Sequence, residues 1–115
     1  MPYDVALADR VREHLAATPG IAVEEKMMFG VLNFVVNGKT CVCVRGDSLM
    51  LRFDPALQEE LAERTGYATM LLKGRTYKGY CYIQAEGLRS VKAFQDYMRI
   101  CLEYNARARS TRRKR

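Results

Sequence analysis

At 115 residues, with four cysteines and no apolar run as long as a membrane span, the chain is sized for one domain with a real core. The cysteines are too few and too apolar in context for a small disulfide-built secreted fold, and the opening MPYDVALADR carries no leader-like apolar segment, so a reduced, cytoplasmic setting is expected. The net charge of +6 is local: residues 106–115, ARARSTRRKR, hold six of the 19 basic residues and none of the 13 acidic ones, so the remainder is neutral.

The chain therefore divides into a domain over 1–105 and a basic tail over 106–115. The tail's Arg107, Arg109, Arg112, Arg113, Lys114 and Arg115 admit two readings. They contact nucleic acid or another polyanion, or they form a solvated terminus with no specific partner.

In chain order, DVALADRVREHLAATPG predicts a first helix. Leu7, Val11 and Leu15 recur at fours and share a face, Asp4 caps the start, and Pro19-Gly20 ends it. A strand at 24–28 precedes a meander of three strands at about 31–36, 39–45 and 48–53. Asn37-Gly38 is a hairpin signal because both turn positions want positive φ, and Gly46-Asp47 marks a second tight turn. DPALQEELAERTG predicts a second helix, with Asp54 as cap, Pro55 in the first turn and Gly66 closing it. Strands at about 68–73 and 79–84 follow, joined by a loop, KGRTYKG. A last helix runs from about residue 88 or 90 to 107, with Val91, Phe94, Met98, Cys101 and Leu102 as its apolar stripe. The sum is an α+β domain: three helices and an antiparallel sheet of five strands, or six with 24–28.

The candidates for chemistry are weak. His14 is the only histidine and has no partner in view, so a surface or half-buried side chain is expected. Cys41 and Cys43 alternate on one strand and should face the same way, with Cys81 and Cys101 elsewhere; this is not a zinc-site spacing, and buried thiols are expected. The glycines of KGRTYKG lack phosphate-loop spacing, although Lys73, Arg75 and Lys78 could hold an anion there. One face of the sheet is aliphatic. The other combines Val, Asn, Met and Arg with tyrosines, and Met50, Tyr80 and Tyr82 on it make a candidate partner surface.

KMMFGVLNFVVNGKTCVCVRGDSLMLR, followed by GRTYKGYCYI, resembles the TfoX/Sxy N-terminal domain family of bacteria over about residues 3–105. The family's K-M-F-G-G segment aligns with Lys26 to Val31 and matches at Met28, Phe29 and Gly30. Met27 stands where a second basic residue is often seen, and Val31 where a second glycine is. Its G-R-P-x-K-G segment matches at Gly74, Arg75, Lys78 and Gly79, with Thr76 in place of proline. The resemblance implies the order α-β(3)-α-β(2)-α, no established enzyme activity, and kinship with regulators of natural competence gene expression. It implies a stand-alone N-terminal domain without those regulators' helical second domain. On this basis Lys26, Met28, Phe29, Gly30, Gly74 and Gly79 are expected to be structural, with Phe29 and Gly30 bending the chain into a packed sheet.

The leading expectation is a non-catalytic regulatory or interaction module of unknown target. It would work through a protein partner, a second copy included, with no cofactor, no metal and no membrane. The alternatives are a nucleic-acid accessory protein using the tail, and a small-molecule or anion binder at the 73–79 loop.

Overall fold

The structure is a computed structural model that describes residues 3–108. Helix α1 covers Val5–Ala16. Strands β1 to β4 follow at Val23–Met28, Val31–Val36, Lys39–Arg45 and Ser48–Arg52. A single 3-10 turn, Pro55–Leu57, leads into a short α2, Gln58–Ala62. Strands β5 (Tyr67–Leu72) and β6 (Arg75–Ile83), a second 3-10 turn and α3 (Val91–Asn105) complete the order. The strand at 24–28 exists, so the antiparallel sheet has six members, ordered β1-β2-β3-β4-β6-β5.

Local chemistry sets these boundaries. The Asp4 carboxylate accepts from the Ala6 and Leu7 amides at 2.9 and 3.3 Å, satisfying donors that a helix start leaves open. Ser90 caps α3 in the same way through the Ala93 amide. The second helix is shorter than expected. Asp54 caps the 3-10 turn rather than an α-helix, and regular α geometry lasts only five residues before the chain turns towards β5.

Three hairpins close with two-residue turns in which both residues have positive φ: Phe29-Gly30, Asn37-Gly38 and Lys73-Gly74. Such turns match the right-handed twist of the flanking strands. The expected seven-residue loop KGRTYKG is therefore a turn of Lys73 and Gly74, and Arg75 onward is already strand.

The helices lie on one face of the sheet. Leu7, Val11 and Leu15 of α1 and Phe94, Tyr97, Met98 and Cys101 of α3 join Leu32, Phe34, Val36, Val42, Val44, Leu49, Leu51, Cys81 and Ile83 in one core. Val91, placed on the α3 stripe by spacing, is 66% exposed because it sits in the first turn, beyond the core's edge. Asn105 locks the other end of α3. Its buried amide donates to the Val36 and Lys39 carbonyls at 3.2 and 3.4 Å, bracketing the β2–β3 turn.

The expected common facing of Cys41 and Cys43 does not hold. The β2–β3 register shifts between Phe34 and Val35, whose partners are Val42 and Thr40, so Cys41 is an extra residue in a bulge. Cys41 joins the core, while the Cys43 thiol donates to the Asn33 amide oxygen outside that cluster, at 3.3 Å.

Candidate interaction site

On the face opposite the helices, the register sets Asn33, Cys43, Met50, Tyr82 and Ala68 in one row across five strands, with Arg52 opposite Tyr80. The residues picked from sequence, Met50, Tyr80 and Tyr82, are thus neighbours, and all three are half-buried. Their ring faces are already engaged. The Arg45 guanidinium lies 5.0 Å over Tyr82, and that of Arg52 lies 6.0 Å over Tyr80.

The β5–β6 arm extends past the strand pairing of β4 and β6. Lys73, Arg75 and Lys78 on it are exposed. They are spread over the Lys73-Gly74 turn and β6, and successive residues of a regular strand project to opposite sides. Between Thr69 and Leu71 the register jumps, and Gly79 adopts φ 87°. This irregularity brings Tyr77 and Tyr80 to one side, with their rings parallel and 4.6 Å apart. Gly79 is held tightly. Its amide donates to the Gln58 side chain at 2.8 Å, and a Cβ there would come within 3.3 Å of the Phe53 carbonyl.

Arg107, the first cation of the tail, stands over the Tyr104 ring at 5.2 Å and donates to Asp54 at 2.7 Å. The Arg52 guanidinium is 5.8 Å from that same Tyr104 ring. Arg109, Arg112, Arg113, Lys114 and Arg115 lie outside the described residues.

The packing role expected of Phe29 is not what the structure shows. Phe29 forms the β1–β2 turn with Gly30, and its ring is fully exposed, flanked by Met27 and Met28 at 52% and 46% exposure. At the tip of a two-residue turn, a side chain has no opposing layer to pack against. Sequence reasoning also missed Leu71 and Leu72, exposed at 61% and 53% beside the Lys73-Gly74 turn. The signal was available: Phe-Gly between two strand-like runs is the same Xaa-Gly pattern as Asn37-Gly38.

The groups capable of covalent chemistry are subdued. Burial pushes the Cys41, Cys43 and Cys81 thiols up to about 12 and raises Cys101 well above the ordinary range, so all four are protonated at neutral pH. Partial burial lowers the pKa of His14, whose ring meets Phe94 edge-on at 6.3 Å. Among the described residues, no group of three or more His, Cys, Asp or Glu is placed to hold a metal ion. Nor is any described helix long and apolar enough to cross a membrane.

Fold and surfaces together define a class: a small α+β domain with helices on one side of an antiparallel sheet, and with exposed apolar side chains at the Phe29-Gly30 and Lys73-Gly74 hairpin ends. The family model of the TfoX N-terminal domain matches residues 13–104, and the chain belongs to that family. No curated protein and no solved structure gives a significant match.

Proposed function

We propose that this domain is a non-catalytic regulatory module of the cytoplasm that acts by contact with a protein partner, and that the β1–β2 tip is its contact element. One observation carries the reading. Phe29 is fully exposed and holds φ 54°, a left-handed conformation that strains a bulky residue. A ring in that position stabilises nothing within the domain, and with Met27 and Met28 it offers a compact apolar anchor of the kind that dominates protein contacts. The family's association with competence regulators supports a regulatory setting. The test compares tagged wild-type chain with Phe29→Asn in affinity capture from the native cell, followed by identification of what is retained. A specific protein held by the wild type and lost from Phe29→Asn supports the reading. The same proteins on both sink it.

A second reading, self-association, is favoured by a separate contrast between the sheet edges. Edge strand β1 carries Glu24, Glu25 and Lys26, with Arg12 bonded to Glu25 at 2.6 and 2.8 Å. Charges of this kind discourage strand addition. Edge strand β5 reads YATMLL and carries none. A second copy can pair along it without meeting a like charge. Sedimentation should show a concentration-dependent dimer that Thr69→Lys, on the exposed edge, converts to monomer. A monomer at every concentration removes this reading.

A further inference from the structure

We propose a single-stranded nucleic-acid site on the folded domain, along a strip made by Arg75, Tyr77, Tyr80, Arg52, Tyr104 and Arg107. This goes beyond the protein-contact reading and does not depend on it.

The strip is continuous. Tyr77 stacks on Tyr80 at 4.6 Å with the rings 3° from parallel. The Arg52 guanidinium lies between rings, 6.0 Å from Tyr80 and 5.8 Å from Tyr104. Arg107 covers Tyr104 at 5.2 Å. Arg75, exposed at the start of β6, lies two residues before Tyr77 on the same strand. Two cationic segments that are far apart in sequence, the β5–β6 arm and the root of the tail, are thus joined by three tyrosines and Arg52. Within the strip, Arg107 is ion-paired with the Asp54 carboxylate.

This is the chemistry of single-strand recognition. Bases stack on aromatic faces or on guanidinium planes, while neighbouring cations meet the phosphates. Tyr77 remains 39% exposed, and a base stacking on its outer face would extend the pair. A duplex keeps its bases stacked on one another and would use only the cations.

The site and the Phe29 tip lie apart. The β1–β2 turn is at one end of edge strand β1, and the β5–β6 turn is at the other end of the sheet, on the opposite edge.

The experiment is fluorescence anisotropy of labelled 15-mers, oligo(dT) and oligo(U), with a mixed-sequence duplex as comparison, against the full chain at low salt. Tyr77→Ala and Arg75→Gln alter exposed side chains and leave the core intact. Each should weaken single-strand binding, Tyr77→Ala by roughly five- to a hundredfold, and Tyr77→Ala should leave duplex binding unchanged. A preference for oligo(U) or for oligo(dT), lost in Tyr77→Ala, supports the strip. Phe29→Asn should bind as the wild type does, which separates this proposal from the protein-contact reading. The proposal is overturned by absence of single-strand binding in the full chain, by wild-type affinity in both strip variants, or by an equal loss in Phe29→Asn.

Discussion

At the scale of single residues, the two groups most open to misreading are Phe29 and the cysteines. Phe29 looks like a core residue by type and is a turn residue by position. Asparagine tolerates the left-handed conformation far better than phenylalanine does. Phe29→Asn is therefore expected to stabilise the domain by about 1 kcal/mol, a rise in melting temperature of about 4 °C. Calorimetry checks this, and a fall would mean that the ring packs against something in solution. The cysteines are expected to titrate as four free thiols after denaturation without reductant, in keeping with their unpaired, buried positions. In the native protein, maleimide labelling at neutral pH should be slow and set by opening of the fold, because thiols held at about 12 expose almost no thiolate. Rapid labelling of any of these cysteines would contradict its burial.

At the scale of elements, α3 is fixed at both ends by polar contacts that its apolar stripe does not announce. Asn105 brackets the β2–β3 turn from a buried position, and replacing it by alanine removes both hydrogen bonds. The cost should be about 1–3 kcal/mol in denaturant unfolding. Near the other end, Asp96 accepts from Arg64 at 2.8 Å and from Arg99, joining α3 to the residues after α2. The Arg64 hydrogen bond, helped by Arg99, holds the Asp96 carboxyl below its ordinary 3.8. A depressed carboxyl contributes stability that is present above its unfolded value and lost as pH falls through the folded one. Asp96→Asn should therefore cost about 1 kcal/mol at pH 7, and the gap to wild type should close below about pH 4. A gap that persists into acid would assign the effect to packing rather than charge.

At the scale of the whole molecule, the sequence keeps its net charge in its last ten residues. Removing residues 109–115 takes five cations and leaves Arg107 on Asp54. The truncated domain should unfold within about 1 kcal/mol of the full chain. Any duplex binding should lose up to about 4.5 from the magnitude of its log–log salt slope. An unchanged slope would place the duplex contacts on the folded surface instead.

What could be read from sequence follows the range of the forces involved. The helix start at Asp4 and the Asn37-Gly38 turn depend on a few adjacent residues and on backbone sterics, so periodicity and capping chemistry determine them by themselves. The same holds for the order of helices and strands and for the aliphatic face of β2. The long-range features follow from pairing between distant strands. The bulge that turns Cys41 into the core reflects a register mismatch between β2 and β3, which neither strand carries alone. The stacking of Tyr77 on Tyr80 needs the β5–β6 irregularity at Gly79. The junction of the arm with the tail root exists only because β4 lies beside β6 while α3 ends above Asp54. Whether Phe29 is core or tip was decided there too: a side chain's burial depends on what the rest of the chain places opposite it, and at the end of a hairpin on a sheet edge nothing is placed there.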